Sequence, residues 1–328
     1  MITSLLLFTE TPANFYIVTN PDSIQALKSY QQEVARQLCD KCRFHFFNID
    51  ESFDRALSRF KLSKVEFISN ASKELMFKVL VPEFFNNLDA LLFIDTDVIL
   101  LGDVSELWAE LKNFAPQEVV GMGPEGYTYL KTSNKQKFVG RFGLNYGVNL
   151  INAAHGRAVN FSARLIEHVQ RHRDVVTSHH DQGFLNAYLH DNPAHAHVVA
   201  CDLIFHGDID GCSYVNHTLF RNCNRTRQNG ALMIHATTGR FLHPDDVSRT
   251  QREHLQGYVL GAGAQPEYKF LSDFFGSLTS RKELTDQMVS SLVRRFSELR
   301  RGYCGKCEEC TNGKDLLKRL HARPRRNT

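Results

Sequence analysis

Apolar runs of strand length alternate with amphipathic segments of helical period over the first half of the chain. The runs typical of strands cover residues 15–20, 42–50, 90–95, 118–123 and 147–152. Helical periodicity extends over residues 21–38, 104–114 and 159–174, and over a segment that ends near residues 81–85. This alternation predicts an α/β fold with a doubly wound, mostly parallel sheet, in which ligands bind at the carboxyl ends of the strands.

The apolar pattern changes in the last quarter of the chain. It fades after Gly239 and returns in 280–302, where one helical face carries Leu284, Met288, Leu292, Phe296 and Leu299. We therefore expect one α/β domain over residues 1–265, a helical extension over 266–302, and a disordered, basic, cysteine-containing tail over 303–328.

Composition and charge exclude some classes of partner. The 328 residues carry a net charge of +3, and 42% of them are hydrophobic, as in an ordinary globular protein. Much of the positive excess lies in the final residues, so nothing favours a nucleic-acid partner. No apolar run has the length of a membrane span, and residues 1–8 lack the basic start of a signal peptide.

Cysteines and glycosylation sequons point to an oxidising compartment. The chain has eight cysteines and four Asn-x-Ser/Thr sequons, at Asn70, Asn160, Asn216 and Asn224. The spacing of the cysteines does not select a pairing, and the Cys-x-x-Cys-x-x-Cys motif over 304–310 fits either a disulfide cluster or zinc ligands.

The stretch LLFIDTDVIL, residues 91–100, ends an apolar strand with two carboxylates. Asp95 and Asp97 have no basic neighbour in the sequence, and two like charges this close need a cation to neutralise both. A second apolar run, 230–236, brings His235 near its end, and an imidazole beside two carboxylates suits Mn²⁺. The alternatives are a solvated strand end and a hydrogen-bonded structural histidine.

Four motifs, in this order, resemble those of the glycogenin-like family 8 of retaining glycosyltransferases. They are LLFIDTDVILLGDVSELW, GVNLIN, HHDQGFLNAYLHDNP and ALMIHATTGR. Within the family the resemblance is to the glucoside xylosyltransferases, and it extends from residue 1 to about residue 250. It implies a GT-A fold in which Asp95, Asp97 and His235 hold Mn²⁺ against the diphosphate of a UDP-sugar.

The resemblance also assigns other site residues. Asp181 and Gln182 match the family's Asp-Gln pair near the anomeric carbon, and an amide at Gln182 favours front-face attack over a covalent intermediate. Asn145 would bond a sugar hydroxyl, and Gly147 would let the backbone approach the substrate. The structural alternatives are a helix N-terminus at HHDQ and a turn at Asn-Tyr-Gly.

Some positions depart from the family pattern. Lys78 stands where the family usually has a donor-binding arginine. The late motif, with Gly239, lacks the family's lysine on the diphosphate, and of its possible substitutes, Arg240 and His243, we favour Arg240 because its charge does not depend on pH. Residues 1–20 are similar to the family's first helix and second strand. The resemblance therefore implies that a first strand, a uridine-binding loop and a type II membrane anchor precede this sequence in the full-length protein.

The resemblance implies a Mn²⁺-dependent transfer of xylose from UDP-xylose, with α retention, to a glucose already attached to a protein. By resemblance, the acceptor is an O-glucosylated protein with EGF-like repeats in the Golgi or ER lumen. The alternatives are a UDP-glucose or UDP-galactose donor, a non-catalytic relative that binds UDP or glycan, and a haloacid-dehalogenase-type phosphatase, which also places Asp-x-Asp after a strand.

Overall fold

The computed structural model describes residues 1–9, 11–35, 38–60, 73–100, 102–125, 137–140, 143–171, 180–200, 203–206 and 232–235. The α-helices in these ranges are α1 (Ile2–Phe8), α2 (Pro21–Tyr30), α3 (Ile49–Arg59), α4 (Lys73–Phe84), α5 (Ser105–Trp108), α6 (Ala153–Ala158), α7 (Phe161–Arg171) and α8 (His180–Asp191). A π-helical turn, Gln31–Ala35, follows α2, and 3₁₀ turns form over Ala109–Asn113 and Pro193–His195.

The strands fall into three sheets. They are β1 (Asn14–Thr19), β2 (Arg43–Asn48), β3 (Leu91–Ile94), β4 (Val98–Leu100), β5 (Val120–Pro124), β6 (Leu144–Ile151), β7 (Ala196–Val198), β8 (Phe205–His206) and β9 (Met233–His235). The strand orders are β1-β2, β3-β6-β5-β7 and β4-β9-β8. The predicted domain boundary at 265, the extension 266–302 and the tail 303–328 lie outside the described residues.

Local sequence signals explain where several elements begin. Pro21 starts α2, and the side chain of Asn20 accepts a hydrogen bond from Ser23 N, as expected of an N-cap. Asn48 caps α3 in the same way by accepting from Asp50 N, so the strand predicted over 42–50 ends earlier than expected. The helix predicted over 104–114 is a short α-helix that continues as a 3₁₀ turn.

The prediction of a mostly parallel sheet is wrong. The β1–β2, β5–β7 and β8–β9 pairs are parallel, but β6 runs antiparallel to both β3 and β5, and β4 runs antiparallel to β9. The reason is burial: all eight residues of β6 are buried, so the strand lacks the apolar–polar alternation that usually marks an antiparallel strand. The α/β class is correct, with mixed sheets.

Strand β6 also carries a register shift. Met122 of β5 is opposite Asn149, and Pro124 is opposite Leu144, so β6 advances five residues where β5 advances two. Such irregularities re-aim side chains next to functional sites. The surplus residues of β6 include the Asn-Tyr-Gly tripeptide, 145–147.

Strand β6 separates two hydrophobic cores. Tyr146 and Ile151 belong to the larger core, which is formed with helices α3, α4, α7 and α8. Val148 and Leu150 belong to the smaller core, which includes residues of α1, β4 and β9. Burial on both sides fixes the position of β6, and with it the position of the tripeptide 145–147.

Two further features bear on the compartment predictions. A disulfide joins Cys39 to Cys42, with the Cα atoms 5.4 Å apart. Among the described residues, no helix combines the length and apolar character that crossing a bilayer requires.

We expect the stability of the fold to decrease on acidification because of His195. Burial, together with the charges of Arg164 and His155, lowers the pKa of His195, whose Nδ1 lies 2.9 Å from the Tyr188 hydroxyl. Below the ordinary histidine pKa of about 6.5, the unfolded chain binds a proton that the folded chain does not. Stability is therefore lost as the pH falls through this value toward the lower native pKa.

Thermal unfolding at pH 7.5 and 5.5 measures this effect. The decrease in Tm should be smaller in His195→Gln than in the wild type. In the control His190→Gln, which alters an exposed ring, it should equal that of the wild type. Equal decreases in all three proteins would contradict the assignment to His195.

Candidate active site

Two carboxylates and one imidazole converge where β3 ends and β4 begins. One potential ligand atom from each of Asp95, Asp97 and His235 lies within 4.8 Å of the other two. His235 Nε2 is 3.0 Å from Asp97 Oδ1 and 4.0 Å from Asp95 Oδ2. The structure thus brings together the three residues that the sequence predicted as metal ligands.

Strand pairing explains this convergence. Asp95 follows β3 directly, and its backbone N–H donates to Gly147 O at 2.7 Å, which extends the β3–β6 ladder by one residue. Asp97 directly precedes β4. In the β4–β9 pair, Val98 is opposite His235, so the short strand β9 carries the imidazole back to the Asp-x-Asp segment.

The ring of His235 lies against Gly147 and is held by Asn145. A Cβ at Gly147 would lie 2.6 Å from both ring nitrogens, so only glycine leaves room for the imidazole. Asn145 Oδ1 lies 2.8 Å from His235 Nδ1 and accepts from Gly147 N at 2.8 Å. The structure shows Gly147 making room for a side chain of the same chain, and its role in admitting the substrate to the backbone stays a prediction.

The donor set fits a divalent metal ion. Because Asn145 Oδ1 is an acceptor, Nδ1 of His235 carries the hydrogen, and the lone pair of the neutral ring is on Nε2. This lone pair faces two carboxylates, an arrangement that is repulsive until a cation or a proton lies between them. Two carboxylate oxygens and one imidazole nitrogen suit Mn²⁺ and similar ions.

Lys78 of α4 connects the Asp-x-Asp segment to Asp181. Its Nζ lies 2.9 Å from each carboxylate oxygen of Asp95 and 3.2 Å from Asp181 Oδ2. The ammonium also lies over the rings of Phe93 and Tyr146, at 5.4 and 5.6 Å from their centroids. Part of the positive charge that the sequence seemed to lack therefore comes from Lys78.

Among the described residues, the Lys78 ammonium does not by itself balance the site. Three carboxylates, Asp95, Asp97 and Asp181, against Lys78 leave a formal charge of −2. Burial lowers the pKa of the Met1 amino group, although Asp97 acts against this, so Met1 offsets the charge only when it is protonated. Burial opposes the charge of Lys78, but the carboxylates of Asp181 and Asp95 outweigh it and raise its pKa, so it remains an ammonium. Burial raises the pKa of Asp95, although Lys78 and His235 act against this rise. The balance of charge favours a bound dication.

Asp181 and Gln182 lie in the first turn of α8, as the helix-terminus interpretation predicted. Gln182 Oε1 accepts a hydrogen bond from Tyr146 N at 3.0 Å, within the surplus residues of β6. Gln182 is thus bonded to the backbone of β6, and Asp181 is linked to Asp95 through Lys78.

Two residues that the sequence analysis missed hold this arrangement together. Asn186, fully buried on α8, accepts from Leu144 N and donates to Leu144 O, both at 2.8 Å, and so joins α8 to the start of β6. Glu125, buried just after β5, accepts from Asn145 Nδ2 at 2.6 Å. A polar residue after a buried strand was a signal for Glu125, but nothing in the sequence distinguished Asn186 from a surface asparagine. Gly239 and Arg240 lie outside the described residues.

The fold is that of known glycosyltransferases. The apo crystal structure of mouse xyloside xylosyltransferase 1 superposes with a TM-score of 0.56, covering 72% of this chain and 89% of that chain at 20% sequence identity. This similarity defines the class of fold and no more.

Sequence comparison gives the family. A family model described as Glycosyl transferase family 8 matches residues 1–198, more than half of the chain, and the chain therefore belongs to this family. Similar curated proteins include glucoside xylosyltransferase 1 of Danio rerio, 24% identical over 70% of this chain, and glucoside xylosyltransferase 2 of Mus musculus, 23% identical over 81%. The matches cover 54% and 62% of those two proteins. The family leaves no basis for the phosphatase alternative.

Replacing Gly147 by alanine should displace His235, because the new Cβ and the ring cannot both be accommodated. We expect the affinity for Mn²⁺ to fall at least tenfold, as for the loss of a metal ligand's support. Electron paramagnetic resonance of free Mn²⁺ measures this affinity. Gly156→Ala is the matched control, since the nearest atom to its Cβ is a Val119 methyl carbon at 3.1 Å and Phe161 and Pro82 lie at ordinary contact distance, and it should bind Mn²⁺ like the wild type. Normal affinity in Gly147→Ala would show that the ring does not depend on this gap.

The variant Asn186→Leu should lower the free energy of unfolding by about 2–4 kcal/mol, because both backbone groups of Leu144 lose their buried partner. Chemical denaturation measures the change. Asn192 lies just after the last residue of α8. Asn192→Leu removes a bond to the Tyr188 carbonyl and an exposed bond from Arg164, and should lower the free energy of unfolding by about 1 kcal/mol. Similar losses in the two variants would contradict a special role for Asn186.

Proposed function

We propose that this protein is a retaining glycosyltransferase that moves a sugar from a UDP-sugar to a hydroxyl group of an acceptor. The observation that carries the proposal is the convergence of Asp95, Asp97 and His235 beside Asp181 and Gln182. Membership of glycosyl transferase family 8 supports the same reaction class.

Asp95, Asp97 and His235 would hold Mn²⁺, for which their donor atoms are suited. When bound, the ion supplies positive charge that binds the donor diphosphate and stabilises the leaving oxygen. The protein's own part is to keep the three ligands at one point: Gly147 leaves space for the ring, and β4–β9 pairing brings it to Asp97.

Lys78 takes two parts in this proposal. It keeps Asp181 and Asp95 at a fixed separation by bonding to both carboxylates. Its ammonium group has three N–H donors, as lysine does generally, but lacks the planar fork of an arginine. We therefore assign it to positioning Asp181 in addition to the donor contact expected from the family.

Gln182 and Asp181 act at the anomeric carbon. The acceptor oxygen bonds to this carbon on the face from which UDP departs, and the leaving phosphate oxygen takes the hydroxyl proton. The Gln182 amide, a poor nucleophile, orients its oxygen through the bond from Tyr146 N and stabilises the positive charge that develops on the sugar ring. Gly239 and Arg240 remain proposed contacts of the diphosphate.

We propose xylose as the transferred sugar and an O-glucosylated protein with EGF-like repeats as the acceptor. The names of the similar curated proteins, at 23–24% identity, support xylose and a glucoside acceptor, and the protein with EGF-like repeats is proposed from the family resemblance alone. We place the reaction in the Golgi or ER lumen. The Cys39–Cys42 disulfide and the exposed sequon residue Asn160 support an oxidising compartment.

The decisive experiment measures hydrolysis and transfer from UDP-xylose, UDP-glucose and UDP-galactose with Mn²⁺. UDP-xylose should be the preferred donor, and EDTA should abolish turnover until Mn²⁺ is restored. Asp97→Asn should reduce turnover by roughly 100-fold or more, since it removes a charged ligand. Asp103→Asn is the control: its side-chain oxygen still accepts from Ser105 N, and its activity should be that of the wild type.

Other results would change the proposal in defined ways. A preference for UDP-glucose or UDP-galactose would replace xylose as the donor. Mn²⁺-dependent UDP binding without hydrolysis or transfer would replace the enzyme with a non-catalytic UDP-binding protein. Turnover that is insensitive to EDTA and to Asp97→Asn would refute the metal site.

A further inference from the structure

We propose that Glu125 is a positioning residue that acts through Asn145 to fix the tautomer of His235. The proposal rests on the metal site of the proposed function and adds to it Glu125, a buried carboxylate that accepts a hydrogen bond from Asn145. It gives Asn145 a role inside the protein beside its expected contact with a sugar hydroxyl.

The first step of the argument is the orientation of the Asn145 amide. Its Nδ2 lies 2.6 Å from Glu125 Oε2, and its Oδ1 lies 2.8 Å from Gly147 N. Turning the amide over would set its oxygen against a carboxylate and its NH₂ against a backbone N–H. Two neighbours therefore fix the same orientation independently.

The second step is the tautomer of His235. An amide oxygen cannot donate, so the 2.8 Å contact between Asn145 Oδ1 and His235 Nδ1 requires a hydrogen on Nδ1. The lone pair of the neutral ring is then on Nε2, 3.0 Å from Asp97 Oδ1. This is the tautomer that a metal ion between the ring and the carboxylates requires.

The third step concerns the negative charge of Glu125. Its side chain is buried, at 3% exposure, and burying a carboxylate is costly unless it is hydrogen-bonded. Its backbone is anchored as well, because Glu125 N donates to Gly143 O at 3.0 Å. A charged acceptor on Nδ2 polarises the amide and strengthens the bond that its oxygen accepts from the ring.

Together these contacts form a relay from Glu125 through Asn145 to His235. A histidine that binds metal commonly gives its other N–H to a carboxylate. Here the Asn145 amide lies between the carboxylate and the ring, so the charge of Glu125 acts on the His235 ring indirectly. The relay is buried throughout, with Asn145 at 2% and His235 at 3% exposure, so water does not replace its members readily.

The test combines three measurements on Glu125→Gln and Glu125→Met. Long-range ¹H–¹⁵N spectra of the metal-free, histidine-labelled protein, recorded at alkaline pH where the ring is neutral and has a defined tautomer, report the His235 tautomer, with the signal assigned by its loss in His235→Gln. Electron paramagnetic resonance gives the affinity for Mn²⁺, with and without UDP. Chemical denaturation gives the stability.

We expect the wild type to show a single tautomer with hydrogen on Nδ1. Glu125→Gln keeps an acceptor without the charge and should weaken Mn²⁺ binding about threefold to tenfold. Glu125→Met removes the acceptor and should weaken it about 10- to 100-fold, with both tautomers present. Because Glu125→Gln also removes a buried charge, its stability should equal or exceed that of the wild type. A purely structural role would lower affinity and stability together.

A double variant tests the direction of the relay. In Asn145→Asp, a second carboxylate faces Glu125, and Mn²⁺ affinity should fall. In the double variant with Glu125→Gln, one donor again faces one acceptor, and the total charge equals that of the wild type. The Mn²⁺ affinity should therefore return to within a few-fold of the wild type. Failure of this rescue would contradict the relay.

The remaining outcomes separate this inference from the proposed function. If Glu125→Met kept the Mn²⁺ affinity and the His235 tautomer of the wild type, the role of Glu125 would be refuted and the proposed function would stand. If the wild type bound neither Mn²⁺ nor UDP, the proposed function would fail, and the tautomer spectra would still decide whether Glu125 governs His235.

Discussion

The contact of two carboxylates with one buried ammonium, beside a third carboxylate held against a histidine, constrains the rest of this structure. Asp95 and Asp181 come from different elements and meet at Lys78, while Asp97 contacts His235. Like charges do not gather in this way unless the fold holds them and something positive completes the balance. The strands, the helix α8 and the strand β9 hold these groups, and among the described residues the surplus of negative charge suits the site to a cation.

The precision of the site comes from the backbone more than from contacts between charged side chains. Asn186 bonds both polar groups of Leu144, Gln182 bonds Tyr146 N, and Asn145 bonds Gly147 N. Each of these side chains fixes a different point at the start of β6. Since β6 is packed between two cores, these bonds transmit the rigidity of the interior to the groups that face the ligand.

Sequence patterns predicted the α/β class, most strand positions and the three candidate metal ligands, because strand ends and the family motifs are local signals. The mixed sheet was not predictable, because the burial of β6 on both faces hides its direction. Lys78 was recognised, but its contact with Asp95 and Asp181 depends on how α4 packs, which no spacing reveals. Glu125 and Asn186 depend on tertiary contacts between residues 20 and 42 positions apart.

The register shift of β6 has a consequence for how such a protein can change over evolutionary time. Asn149, Leu150, Ile151 and Leu144 pair with β5, whereas the tripeptide 145–147, which lies between them, contributes to the candidate site. The residues of β6 that pair with β5 and the residues that form the candidate site are therefore different residues of the same strand. Substitutions at Asn145 or Gly147 would therefore disturb the candidate site, while the ladder that flanks the tripeptide keeps the strand in place.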